Sequence, residues 1–192
     1  KTVTISVALA LMIVIYPNDS ILFMRKTEND ITEVMKSVSK MLHSDIMKAI
    51  VKVLYNKDLI LLKDTNAEIS TNLQTSTRGT AQLTGLGSTS SLTGKHYERI
   101  FTDDIINLKD RTSKAERERI KLVYQELQNL KNRGGRIVNT GTPWSKEDAF
   151  SIMPKATMYD CYSTGLIDFK ELQEIRNKMT PSLFAANYEL KH

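Results

Sequence analysis

Two pairs of neighbouring polar residues stand out by their types and positions. Lys1 and Thr2 open a predicted helix, and Asp103 and Asp104 follow an apolar predicted strand. A site that hydrolyses a nucleotide uses a lysine on the β- and γ-phosphates, a hydroxyl and a carboxylate on Mg²⁺, and a group that orients the attacking water. These four residues supply those types in that order. Taken without the other pair, the two acids are more typical of an ordinary strand end.

The elements that must position these residues alternate between helix and strand. Helical spacing or an all-apolar run predicts helices over residues 2–16, 31–42, 46–54 and 113–130. Short apolar runs predict strands over residues 21–24, 59–62, 68–73, 99–102 and 136–139, the second and third of which form a hairpin.

Three local features refine this interpretation. The first helix has so few polar side chains that we expect it to be buried on all sides. Residues 75–94 are rich in Ser, Thr and Gly, which predicts a loop. Gly134 and Gly135 are expected to end the long helix.

The succession of a strand, a long helix and a further strand predicts a parallel crossover and therefore an α/β fold. Parallel sheets carry their chemistry at the carboxyl ends of their strands. The polar residues fall there, because the acidic pair follows one strand, residues 140–142 follow the next, and Arg25 follows a third. Lys1 opens a helix, where backbone N–H groups and the helix dipole favour phosphate.

The composition excludes several classes of protein. Of the 192 residues, 41% are hydrophobic and 26% are charged, which excludes a disordered chain and a polytopic membrane protein. Cys161 is the single cysteine, so an internal disulfide is impossible and a reducing compartment is expected. One cysteine and three histidines give no metal-ligand spacing. The net charge of +5 is compatible with a polyanionic partner such as nucleic acid.

The apolar run at residues 7–16 is the one candidate for a targeting or membrane segment. It is shorter than the roughly 20 apolar residues that span a bilayer. Pro17, Asn18 and Asp19 stand where a signal peptide would have its small-residue cleavage site. No membrane association is therefore expected. Because the chain begins with Lys1 instead of Met, we expect further residues upstream.

Basic residues cluster around the start of the long helix, where Glu116 and Glu118 interleave with them. This mixture predicts a solvated, salt-bridged face instead of a track for DNA. The basic residues are Arg111, Lys114, Arg117, Arg119 and Lys121.

Three stretches of the chain resemble motifs of the large terminase subunits of tailed phages. Residues 92–107, which include the acidic pair, resemble the second nucleotide-binding motif of that family. Residues 132–144 resemble its coupling motif, and residues 181–190 are similar to the segment that follows its ATPase core. The three stretches occur in the family's order and at similar spacing, so the resemblance covers nearly the whole chain.

The resemblance implies a RecA-like P-loop NTPase of the ASCE class, with a mainly parallel sheet flanked by helices. Residues 1–156 would form the ATPase domain, without its first strand and most of its phosphate loop. Residues 157–192 would form a small helical connector toward a nuclease domain beyond the chain.

The resemblance also implies roles for the two polar pairs, with ATP and Mg²⁺ as cofactors. Lys1 would bind the β- and γ-phosphates of ATP, and Thr2 and Asp103 would hold Mg²⁺. Asp104 would polarise the attacking water in the place of the family's usual glutamate. An aspartate is one methylene shorter, so the water must lie closer to the strand or a second water must intervene.

Two further roles follow from the resemblance. Thr140, Gly141 and Thr142 would sense the γ-phosphate and convert its loss into movement, although without the resemblance they would be an ordinary turn before Pro143. A motor of this kind needs an arginine that acts on the phosphates of a neighbouring subunit, and Arg78 is the candidate because it lies in the predicted Ser/Thr/Gly loop. The alternative is that Arg78 is a solvated loop residue, and Lys95 or Arg25 are the other candidates for the role.

The implied function is ATP hydrolysis that drives double-stranded DNA into a viral procapsid, without regard to DNA sequence. The implied partners are a portal protein, a small terminase subunit and further copies in a ring, in the host cytoplasm. Two alternatives stay open from the residues. One is another P-loop nucleic-acid translocase or helicase, and the other is a non-catalytic interaction module on a nucleotide-binding fold.

Overall fold

The computed structural model describes residues 1–77, 79–92 and 94–191. Within these residues the chain has an α/β fold, in which helices flank one six-stranded, mostly parallel sheet. The helices are α1 (Thr2–Ile15), α2 (Glu28–Leu42), α3 (Asp45–Tyr55), α4 (Leu108–Thr112), α5 (Lys114–Leu130), α6 (Cys161–Thr164), α7 (Phe169–Asn177) and α8 (Pro181–Tyr188), with a 3₁₀ turn at Ala149–Ile152. The strands are β1 (Ile21–Arg25), β2 (Leu61–Asp64), β3 (Glu68–Thr71), β4 (Leu83–Gly87), β5 (Tyr97–Asp103) and β6 (Lys131–Thr140).

The strands lie in the order β2-β3-β4-β1-β5-β6. The central strand β1 pairs in parallel with β4 on one side and with β5 on the other. The hairpin predicted from the sequence is confirmed, because β2 and β3 pair antiparallel. On the other side of β5, the side-chain amide of Asn132 donates a hydrogen bond to Glu98, and the hydroxyl of Thr102 donates one to Asn139. The later residue of β5 thus contacts the later residue of β6, so the two strands run in the same direction. The predicted parallel crossover through the long helix is therefore confirmed.

The chain divides into two compact units, the first from Lys1–Asp103 and Glu126–Asn139 and the second from Asp104–Gln125 and the residues from Thr140 onward. The first unit contains nearly all of the sheet. Its main core is formed by the apolar stripes of α1, α2 and α3 packed with β1, β3 and β4. Thr27 caps α2 by accepting a hydrogen bond from the N–H of Asp30, which fixes where that helix begins.

The expectation that α1 is buried on all sides is wrong. Leu9, Ala10 and Ile13 are fully buried, but Val3 is 69% exposed and Val7 is 41% exposed. The helix packs one side against α2 and the core, and its other side faces solvent although it is apolar. An all-apolar run therefore did not require burial of the whole helical surface.

The expectation of a loop throughout residues 75–94 is also wrong, because β4 lies within this stretch. A Cβ atom on Gly85 would lie 2.4 Å from Cγ2 of Ile31, so a side chain at this position would require Ile31 to shift. A Cβ atom on Gly87 would lie 3.1 Å from Cγ of Glu28 at the start of α2, which is a tight but less severe contact. The glycines that resemble loop residues in the sequence are the contact surface for this helix.

Gly134 and Gly135 lie inside β6 and do not end the long helix, which stops earlier at Leu130. A Cβ atom on Gly135 would lie 2.8 Å from the carbonyl oxygen of Glu98 in β5. Close approach of two strand backbones therefore explains this glycine.

In the second unit, Asn107 and Asp110 form a capping box at the start of α4. Helices α6, α7 and α8 lie in the stretch for which the resemblance implies a small helical connector, residues 157–192. They pack around a small core of Cys161, Leu172 and Phe184. The division of function predicted at residue 156 stays a prediction.

Candidate functional site

The first helix begins at the predicted phosphate-binding pair. Lys1 occupies the N-cap position of α1, where no side chain caps the helix and no acidic residue lies in the first turn. Thr2 is the first residue of the helix. The first N–H groups of a helix point outward and carry a partial positive charge, which favours an anion at this end.

Asp103 ends the neighbouring strand β5 and lies between two cations. Its Oδ1 atom is 3.0 Å from Nζ of Lys1, and its Oδ2 atom is 3.2 Å from Nε of Arg25. The side chain of Asp103 is 1% exposed, that of Arg25 is 13% exposed and that of Lys1 is 43% exposed. The carboxylate is thus buried, and each of its oxygens faces a positive charge.

The register of the sheet explains why Arg25 meets Asp103. In the parallel pair of β1 and β5, Phe23 lies opposite Phe101, so the residues two positions further along both strands reach the same edge. Lys26, the next residue after β1, is also buried. The carboxyl ends of these strands therefore bring together more positive than negative charge.

Asp104 and the predicted coupling residues meet within the second unit. The N–H of Asp104 donates to the carbonyl oxygen of Thr140 over 3.1 Å. A Cβ atom on Gly141 would lie 3.4 Å from Oδ1 of Asp104, so the carboxylate lies directly against that glycine. Thr142 is half-buried.

Asp104 has an unusual backbone conformation. Its φ angle is +48°, in the left-handed region that residues other than glycine rarely adopt. Aspartate tolerates this region better than most residues because its short polar side chain can hydrogen-bond locally. Strained positions of this kind are concentrated at functional sites.

The residues present fit a magnesium ion that shares its ligands with a phosphate. Among the described residues, no group of three or more His, Cys, Asp or Glu side chains could hold a metal ion. Mg²⁺ is usually bound by one or two carboxylates together with waters and substrate phosphates, instead of by a complete protein cage. Asp103 supplies one buried carboxylate, and Thr2, the residue directly after Lys1, carries a hydroxyl. Such an incomplete set of protein ligands agrees with that mode.

The other predicted cations have different surroundings. Arg78 lies outside the described residues. Lys95 pairs with Glu68 over 2.7 Å, and this hydrogen bond raises the pKa of Lys95. At the start of α5, Arg119 pairs with Glu116 and Lys121 pairs with Glu118, which confirms the predicted salt-bridged helix face.

Sequence reasoning found the four polar residues and Arg25 as residues at strand or helix ends, but it missed the pairing of Arg25 with Asp103. The signal available in the sequence was a basic residue, Arg25, at the end of one predicted strand and an acidic residue, Asp103, at the end of another. Asn139 was also missed as a partner of Thr102, which donates to its Oδ1 atom over 2.8 Å just before the coupling residues.

No protein-family model matches the chain, and no curated protein matches it. Among the described residues, no helix has both the length and the apolar character needed to cross a membrane.

Proposed function

We propose that this chain is the ATPase part of a large terminase, a viral motor that hydrolyses ATP to move double-stranded DNA into a procapsid. The observation that carries the proposal is the ion pair between Lys1 and Asp103. These are the residues that the motif resemblance assigns to the phosphates and to Mg²⁺, and they lie at opposite ends of the longer segment of the first unit, Lys1–Asp103. A shared phosphate and metal site accounts for their meeting.

We further propose that the α/β fold is RecA-like and of the P-loop class. The parallel pairing of the central strand β1 with β4 and with β5 supports this proposal. The antiparallel hairpin of β2 and β3 is then an addition at one edge of the sheet.

In the proposed reaction each polar residue has one task. Lys1 binds the β- and γ-phosphates, while Thr2 and Asp103 hold Mg²⁺, which when bound neutralises negative charge on those phosphates. Asp104 orients the attacking water and accepts its proton. The contact of Asp104 with Thr140 and Gly141 gives the water-binding residue a direct connection to the coupling segment.

The proposal includes the setting of the motor. The partners are double-stranded DNA, a portal protein, a small terminase subunit and further copies of the chain in a ring, in the host cytoplasm. DNA contacts go to phosphates, so binding is insensitive to sequence and weakens steeply with salt. Arg78 acts on the phosphates of a neighbouring subunit, and Arg78→Ala lowers turnover only in the assembled ring.

The test is DNA-stimulated ATP hydrolysis by the full-length protein, compared with Lys1→Ala and Asp104→Asn. Each variant is expected to lose at least about 100-fold in kcat, the size of a lost catalytic base or phosphate contact. The controls are Lys48→Ala and Asp45→Asn, which remove an exposed ion pair at the start of α3 and should keep full turnover.

The result also separates the alternatives. Turnover that is unchanged in both site variants would contradict the ATPase proposal and leave a binding module. Loss of turnover together with DNA strand separation in the parent protein would indicate a helicase, whereas packaging of intact duplex into procapsids supports the terminase.

A further inference from the structure

The helix α3 carries apolar residues over more of its surface than the core covers. Met47 and Val51, four positions apart, are buried in the main core. Ile46 and Val53 face away from that core and are 75% and 85% exposed, with the exposed Ala49 between them. Residues three and four positions apart lie on one face of a helix. Ile46, Ala49 and Val53 therefore form a continuous solvent-facing stripe, which we call the α3 stripe.

The α3 stripe has an apolar flank and a charged flank. Leu54 is 56% exposed and extends the apolar surface on the side nearer the core. Asp45 and Lys52 lie along the other side. Single exposed apolar side chains are normal on a protein surface, whereas a contiguous apolar surface with a polar rim is typical of a contact with another protein.

The charges on this flank are available to a partner. Asp45 lies 3.8 Å from Lys48, and Lys52 lies 3.3 Å from Asp58. All four side chains are more than half exposed, so these ion pairs contribute little to the stability of the chain. Exchange of either pair for one with another molecule therefore costs little.

The α3 stripe is complementary to itself when two copies of the helix lie antiparallel. A twofold axis near Ala49 brings Ile46 of each copy against Val53 of the other. The same axis keeps the charged flanks of both helices on one side, so Asp45 of each copy lies beside Lys52 of the other. The small side chain of Ala49 at the crossing point allows the two helices to approach closely.

We propose that two copies of this chain associate through an antiparallel, twofold contact between their α3 stripes. The inference does not depend on the proposed ATPase activity. It also differs from the ring proposed above, because a head-to-tail contact joins two different surfaces, whereas this contact joins identical ones. The α3 stripe is smaller than a standard interface, which buries about 800 Å² per partner, so we expect a dissociation constant in the micromolar range.

Sedimentation equilibrium of the full-length protein measures the association. The wild-type protein is expected to show a reversible equilibrium between monomer and dimer. Val53→Asp places an unpaired charge in the apolar contact of both copies and should weaken the dimer at least about tenfold. Leu166→Asp is the matched control, because Leu166 is also 85% exposed but lies in the second unit, and it should leave the dissociation constant unchanged.

Exchange of the two charges tests the antiparallel arrangement. Asp45→Lys puts like charges together at both ends of the contact and should weaken the dimer at least about tenfold. Addition of Lys52→Asp to this variant restores opposite charges and should return the dissociation constant to within threefold of the wild type. Both side chains are exposed, so circular dichroism should show the wild-type fold in each variant.

A disulfide tests the twofold axis, since only on such an axis do identical residues meet. Ala49→Cys is expected to form a covalent dimer under mild oxidation. Glu33→Cys, at an exposed position of α2 outside the α3 stripe, should stay monomeric in denaturing electrophoresis. The buried Cys161 is present in both variants.

The inference is wrong if the wild-type protein remains monomeric at about 100 µM, or if Val53→Asp dimerises as the wild type does. A dimer that the second charge substitution fails to restore, or that Ala49→Cys fails to cross-link, would overturn the antiparallel contact through α3.

Discussion

Substitution of Gly85 by alanine tests the closest contact between helix and sheet in the first unit. The added Cβ atom would lie 2.4 Å from Cγ2 of Ile31 and 3.3 Å from Cγ and Sδ of Met35. Carbon atoms pack at about 3.5–4.0 Å, so Ile31 must move by about 1 Å. Ile31 is 2% exposed, so it has no solvent-facing space to occupy.

The magnitude follows from two opposing effects. Overpacking a buried site costs about 1–3 kcal/mol, whereas replacing glycine by alanine stabilises by about 0.4–1 kcal/mol through the unfolded chain. Gly79→Ala is the control for the second effect, because no atom lies within 4 Å of its added Cβ. The free energy of unfolding of Gly85→Ala is therefore expected to be about 1–3 kcal/mol below that of Gly79→Ala.

Urea denaturation followed by far-ultraviolet circular dichroism measures this difference. Fluorescence of Trp144, the single tryptophan, reports on the second unit and shows whether that unit is affected. Equal stabilities of the two variants would refute the close approach of α2 to β4. A second check is the double variant Gly85→Ala with Ile31→Ala, which should be more stable than the sum of the two single effects by about 1 kcal/mol or more.

Two further predictions concern a half-buried carboxylate and a buried thiol. Burial raises the pKa of Glu98, but hydrogen bonds from Ser20 and Asn132 outweigh this effect and hold the pKa below its ordinary value. The stability that these bonds provide is complete above the unfolded glutamate pKa of about 4.3 and is lost as the pH falls through the folded pKa. Glu98→Gln should therefore lower the free energy of unfolding by about 1–2 kcal/mol at pH 7, and by progressively less toward pH 3, as measured by urea titrations. A loss of stability that does not change with pH would contradict this expectation. Burial raises the pKa of the Cys161 thiol, with the charge of Asp160 adding to the effect, so a disulfide reagent should label the native protein more than tenfold more slowly than the urea-unfolded chain. Equal labelling rates would show that the thiol is accessible.

The type and order of most elements could be predicted from local patterns. The spacing of Ile31, Val34 and Val38 predicted α2, and these residues are buried in the structure. Ser113, where the long helix is predicted to begin, accepts a hydrogen bond from the N–H of Glu116 in the first turn of α5. Local patterns succeed here because the interactions that form these helices, a capping hydrogen bond and an apolar stripe, involve residues close together in the sequence.

The strand β4 could not be predicted because its composition contradicts its location. Glycine is unfavourable in strands, and Gly85 and Gly87 together with nearby serines and threonines favour a loop. These glycines allow α2 to approach the sheet. Ile31 of that helix precedes Gly85 by more than 50 positions in the sequence. A contact of that kind has no signal in the neighbouring sequence.

The candidate site was predictable in its residue types but not in its pairings. Lys1 and Asp103 could be assigned to one site from the resemblance, yet the bond between Arg25 and Asp103 depends on the register of β1 against β5. Register is set by the whole sheet and its core, so it is not encoded in the residues at the strand ends.

The glycines of β4 also affect how substitutions in this chain should be interpreted. Gly85 and Ile31 share one small volume, so a larger residue at position 85 requires a smaller one at position 31. In a mutational scan, position 85 would be sensitive to side-chain size, although the atoms nearest to its added Cβ belong to apolar side chains. If packing alone constrains Gly85, a larger residue there should be accepted when residue 31 is made smaller. The effect of substituting a phosphate-binding glycine would instead depend on bound nucleotide and not on residue 31.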